Sequence, residues 1–108
     1  MRAGAVAIAL AFALAGSAAS HGDAEWIARG GYLDQQAMSC CGPVDCQLAP
    51  ASLVVTPGRG GVTVDGVLLP WGRGAYHSID GRVWWCRHLH PPIVGRARCV
   101  FIPPAPGS

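Results

Sequence analysis

Five cysteines are the residues of this chain whose type and spacing could most readily do chemistry. Three lie in one short segment, CCGPVDC (residues 40–46), and two lie far downstream. Such a set could be a disulfide framework in an oxidising compartment, or a metal or redox site in a reducing one. Because five is odd, at least one thiol is free, reactive or paired between chains. The disulfide candidates are Cys40, Cys41, Cys46, Cys86 and Cys99.

The spacing leaves two pairing arrangements open. Adjacent Cys40 and Cys41 point opposite ways in an extended chain, so they should reach different partners. One arrangement joins Cys86 to Cys99 across a last hairpin and gives Cys46 to Cys40 or Cys41. The other ties both adjacent cysteines to later ones and so fastens an N-terminal helix to a sheet. Thiol–disulfide chemistry at an unpaired Cys40 or Cys41 is a lesser alternative, because the chain has no C-x-x-C motif.

Four histidines form the second chemical set: His21, His77, His88 and His90. If the mature chain begins at His21, its α-amine and imidazole could together chelate a metal, and imidazole suits copper. On a strand, His88 and His90 would share a face. Copper held by His21 with His88 and His90, or with His77, is therefore the one cofactor that the sequence suggests.

The N-terminus places these residues in an oxidising compartment. Residues 1–20 have the form of a secretory signal peptide: Arg2, a thirteen-residue apolar run, and small residues that allow cleavage before Ser20 or His21. The run is shorter than the roughly 20 residues that a transmembrane helix needs, so no transmembrane anchor should remain after cleavage. We expect a periplasmic or secreted bacterial protein in which disulfides persist.

The remaining chain, about 88 residues, is enough for one small domain over residues 21–102, with a disordered Pro-rich tail over 103–108. Without Arg2, seven arginines face six acidic residues, so the domain is nearly neutral. This balance argues against a nucleic-acid partner and against a polybasic membrane partner. The odd cysteine leaves room for an intermolecular disulfide.

Local patterns predict a mainly β, small α+β fold. A helix near Trp26 should end at Gly30-Gly31 after two turns. From residue 48 onward, short β segments alternate with turns, and Asp65-Gly66 and Asp80-Gly81 are two-residue hairpin signals. We expect a short N-terminal helix stapled by disulfides to a small antiparallel sheet or open barrel of about five strands. Trp84 and Trp85 should face opposite sides, one in the core and one partly exposed.

Four segments together resemble small secreted proteins of alphaproteobacteria. These are the His- and Trp-containing start of the mature chain, CCGPVDC, HSIDGRVWWCR and RCVFIPP. The CC-x(3)-DC element is the most specific part, and the resemblance covers most of the mature chain. It implies export and a shared cysteine framework, but the group has no established activity.

No nucleophile, phosphate-binding or zinc-protease motif occurs in the sequence. We therefore expect a non-enzymatic binding or structural module of the cell envelope, with periplasmic copper binding as the alternative.

Overall fold

The computed structural model describes residues 24–40 and 46–105. The predicted signal peptide, His21, Cys41 and the end of the tail lie outside these residues. The described chain forms one five-residue helix and seven short strands. They are α1 (Glu25–Arg29), β1 (Cys46–Leu48), β2 (Val55–Pro57), β3 (Gly61–Val64), β4 (Val67–Pro70), β5 (Ala75–His77), β6 (Trp84–Arg87) and β7 (Ala97–Ile102).

The strands form two sheets. A four-stranded sheet has the order β1-β6-β7-β5, and a three-stranded antiparallel sheet has the order β2-β3-β4. The prediction of a mainly β domain with a short helix is confirmed. The prediction of a single antiparallel sheet or barrel of about five strands is wrong, because β5 runs parallel to β7 and seven strands divide between two sheets.

The two Asp-Gly signals have different outcomes. Asp65 and Gly66 have φ of 46° and 85° and join β3 to β4, as a type I′ hairpin requires. No such hairpin joins β5 to β6, because β7 lies between them. Asp80 instead turns the chain with its side chain, accepting hydrogen bonds from the Arg82 backbone N–H at 3.0 Å and from Trp84 Nε1 at 2.9 Å.

Strand β7 is buried on both faces, and each face belongs to a different core. On one face, Val100 and Ile102 pack with Trp85 and with residues of the three-stranded sheet. On the other, Cys99 and Phe101 pack with Trp84 and Ile27. Trp84 and Trp85 do face opposite sides, but both are buried, with 4% and 9% of their surface exposed. The expectation that one indole is partly exposed is wrong, because both faces of this sheet are covered.

The second face is covered by the N-terminal arm, which we define as residues 24–40. Helix α1 ends at Arg29, before Gly30-Gly31 as predicted, and buries Ile27 completely. Trp26 and Tyr32 meet the Phe101 ring edge-on, with ring centroids 5.2 and 5.0 Å away. Aromatic packing of this kind stabilises beyond the area buried. Side-chain packing against this second core therefore holds the helix in place.

Two disulfides cross this second core: Cys40–Cys99 and Cys46–Cys86. Neither predicted arrangement describes them fully. Cys86 does lie opposite Cys99, but Cys46 is the register partner of Cys86 on its other side, in edge strand β1. Because β1 brings Cys46 to a Cα–Cα distance of 3.9 Å from Cys86, Cys99 is left to bond Cys40 of the arm.

Among the described residues, no helix has the length and apolar character needed to span a bilayer.

We predict that replacing Cys46 and Cys86 together by Ser lowers the free energy of unfolding by about 4 kcal/mol. The bridge closes a sequence separation of 40 residues, and its loss frees the unfolded chain. Urea unfolding of the oxidised protein measures the change. Cys41→Ser is the matched control: it removes a cysteine but neither disulfide, so it should keep the contribution of loop closure to stability. An equal loss in the control would contradict the pairing.

Candidate functional site

The two central strands of the four-stranded sheet are joined by the β6–β7 loop (residues 88–96). Hydrogen bonds close its base: His88 N–H donates to the Arg96 carbonyl at 2.9 Å, and Gly95 N–H to the His88 carbonyl at 2.8 Å. The Arg96 N–H donates to the Ile93 carbonyl at 3.1 Å, and the Pro91-Pro92 bond is cis. The loop is thus tied to itself as well as to its strands.

Two cavities flank this loop and share His88, Ile93 and Arg98. The loop cavity, about 270 Å³, is lined by the loop itself, including His90 and Pro92. The sheet cavity, about 110 Å³, lies between the loop, the arm and β4, and is lined by polar groups beside aliphatic side chains. Concave surfaces with apolar walls and a few convergent polar groups are the usual form of binding sites.

A largely buried ion pair lines the sheet cavity, and its arginine also lines the loop cavity. Asp34, only 3% exposed, places Oδ2 at 2.9 Å from Nε of Arg98. Its Oδ1 accepts hydrogen bonds from the backbone N–H groups of Gln36 and Met38 at 2.9 and 3.0 Å. Arg98 also donates to the Ser39 carbonyl. Because both carboxylate oxygens are engaged, Asp34 positions the arm against β7.

The electrostatics of the site favour a neutral imidazole at His88. Partial burial lowers the pKa of His88 below its ordinary value, the charges of Arg98 and Arg96 lower it further, and Asp34 only partly opposes them. His88 is therefore uncharged at neutral pH. A neutral imidazole can donate one hydrogen bond, accept another, or bind a metal.

The structure separates the predicted histidines. His88 and His90 both line the loop cavity. His77 lies elsewhere: it pairs with Ile102 at the far end of β7, roughly 17 Å of strand from Ala97, and its ring lies 4.9 Å from Trp71. His77 is thus not part of one site with His88 and His90, and the prediction for His21 lies outside the described residues. Within residues 24–40 and 46–105, no three His, Cys, Asp or Glu side chains come together as a metal site would require.

The cysteines likewise leave little free chemistry in the described chain. Cys40, Cys86 and Cys99 are fully buried and, like the half-buried Cys46, bonded. The hypothesis of a reactive, unpaired Cys40 is therefore wrong, since Cys40 bonds Cys99. Cys41, the remaining candidate, lies outside the described residues.

Sequence reasoning missed the cationic character of the segment that contains the loop. Residues 87–98, RHLHPPIVGRAR, contain three arginines and two histidines but no acidic residue. A local charge count would have found this segment, whereas the nearly neutral balance of the whole domain hides it. Asp34 could not have been found in this way, because it lies more than 50 positions earlier.

Compared with protein-family models, with curated proteins and with solved structures, the chain has no match.

We predict that Asp34→Asn lowers the free energy of unfolding by about 3 kcal/mol, because it leaves the Arg98 guanidinium buried without its counter-ion. The matched control is Glu25→Gln, which removes the exposed ion pair between Glu25 and Arg29 and should cost less than about 0.5 kcal/mol. Urea unfolding of both variants makes the comparison. Similar losses would show that Asp34 does not anchor the arm.

Proposed function

We propose that this chain is an exported, non-enzymatic binding module of the bacterial envelope that contacts its partner through the β6–β7 loop. One observation carries the proposal: both stems of the loop are fixed by disulfides. Cys86 lies two residues before His88, and Cys99 lies three residues after Arg96. Cys86 is bonded to Cys46 of β1, and Cys99 is bonded to Cys40 of the arm. A surface held in place in this way loses little conformational freedom on binding.

Export is supported by three features. The first twenty residues have the pattern of a secretory signal peptide, disulfides persist in oxidising compartments, and the resemblance to small secreted alphaproteobacterial proteins points the same way. Periplasmic or secreted location is the corresponding part of the proposal.

A binding role is favoured over catalysis by the state of the described polar groups. Ser78 and His77 are neighbours in sequence, but Ser78 Oγ is buried without a hydrogen-bond partner and His77 is exposed. A serine nucleophile needs a hydrogen-bonded base, so this pair is not one. Both carboxylate oxygens of Asp34 contact groups that hold the arm, as described above.

Expression of the full chain in a bacterium tests this proposal. The protein should be recovered from the periplasm, shortened by about 20 residues, and four hydrogens lighter than its reduced form. A photocrosslinking residue at position 90 of the loop should give crosslinked products in the envelope. The same residue at position 73, in the exposed turn between β4 and β5, serves as the matched control and should give none.

Two outcomes would contradict the proposal. Retention in the cytoplasm with the signal segment attached would contradict the proposal that the protein is exported. Identical crosslinks from positions 73 and 90 would show that the loop is not the specific contact surface.

Copper binding is the second candidate function, and one observation favours it: His88 and His90 line the same cavity, with His88 held neutral by its surroundings. Two imidazoles provide ligands that copper prefers. Cleavage before His21 would supply a further imidazole and the α-amine. In this proposal His77 takes no part.

We predict that His88→Ala and His90→Ala each weaken Cu²⁺ binding at least about tenfold, in line with the loss of one metal ligand. His77→Ala, the matched control, should leave the affinity unchanged. Calorimetric titration of the mature protein measures all three. Mass spectrometry of the same sample reports the N-terminus, and equal affinity in the three variants would eliminate this site.

A further inference from the structure

We propose that the β6–β7 loop docks the domain on an anionic lipid surface, with the tip of the loop (residues 89–94) among the lipid headgroups and acyl chains. Cationic groups at the base of the loop would face the lipid phosphates. The inference rests on the proposed function, because it assigns a partner to the same loop.

The loop tip is mostly apolar and largely uncovered, with His90 as its one polar residue. Leu89 is 46% exposed and Val94 59% exposed, and Pro91 and Pro92 between them are also exposed. One exposed aliphatic side chain is ordinary on a protein surface. Here four apolar residues are exposed within six consecutive positions, and the hydrogen bonds at the base hold the two ends of this segment together.

Positive charge surrounds the base of the loop. Arg96 is exposed and forms no ion pair with any described residue, and neither does the half-buried Arg87. Asp34, which lines the sheet cavity beside the loop, is already paired with Arg98. An apolar tip above a cationic base matches the layering of a membrane surface, where anionic phosphates border an apolar interior.

The nearly neutral charge of the whole domain does not oppose this inference. That balance argues against a polybasic tract that binds by charge alone. The loop combines a few charges with apolar insertion, and two weak contributions of this kind together give measurable membrane affinity. A small anion or an acidic peptide would use the cationic base without needing an exposed apolar tip, so the lipid surface is the better fit.

Vesicle co-sedimentation of the oxidised mature chain tests the inference. Binding is expected to vesicles containing phosphatidylglycerol, with weaker binding at higher salt and little to pure phosphatidylcholine. Arg96→Gln should weaken binding about fivefold, which corresponds to one interfacial cation. Leu89→Ser combined with Val94→Ser should weaken it at least as much, because it removes the apolar contribution.

Matched controls lie elsewhere on the surface. Ile79, at 70% exposure, is more exposed than either tip residue, and Arg73 is an exposed arginine in a different turn. Ile79→Ser and Arg73→Gln should therefore leave vesicle binding unchanged. Because every substituted residue is exposed, folding should be preserved, and urea unfolding verifies this.

The inference is overturned if the native protein does not bind anionic vesicles at low salt, or if the controls lose as much binding as the loop variants. A loss with Arg96→Gln alone, and none with the tip variants, would indicate a headgroup or free-phosphate site without insertion and would also overturn it. Competition by inorganic phosphate then separates those two sources. Crosslinks from position 90 to a protein, with no vesicle binding, would preserve the proposed function and reject the lipid partner.

Discussion

Burial of β7 on both faces is the constraint on which the rest of the structure depends. The three-stranded sheet covers one face, but the other is left to an arm whose helix is five residues long. A helix this short is not stable alone, so the arm needs external fastening. Two adjacent residues of β7 provide it: Arg98 holds Asp34 through a buried ion pair, and Cys99 holds Cys40 through a disulfide. The aromatic contacts of Trp26 and Tyr32 with Phe101 then complete a core that this arm could not maintain by burial alone.

The sequence was most informative where structure is set locally. Asp65-Gly66 predicts its hairpin because a type I′ turn is decided by the conformations of two residues, and Gly30-Gly31 likewise ends α1. Asp80-Gly81 has the same signal without the same result, since the largely buried strand β7 pairs with both β5 and β6. Trp84 and Trp85 show the same limit: alternation predicts opposite faces, but not that both faces are covered. The neighbouring residues in the sequence determine neither the missing hairpin at Asp80-Gly81 nor the burial of both indoles.

The candidate site shows the same difference between features set by neighbouring residues and features set by residues distant in sequence. That Cys86 and Cys99 lie opposite each other could be predicted from the loop between them, whereas their true partners depend on the placement of β1 and of the arm. The shared cavity of His88 and His90 follows from their closeness in the chain, and the separation of His77 follows from the parallel pairing of β5. The ion pair between Asp34 and Arg98 joins residues far apart in sequence, so only the folded chain reveals it.

The order of the disulfides along the chain has a consequence for survival among proteases. The bridge between Cys46 and Cys86 lies inside the span closed by Cys40 and Cys99, so the two closed rings are nested. A protease that cuts anywhere from residue 47 to residue 85 leaves two fragments joined by both bridges. A cut within the β6–β7 loop leaves them joined by one. The exposed turns of the three-stranded sheet can thus be cleaved without the domain coming apart.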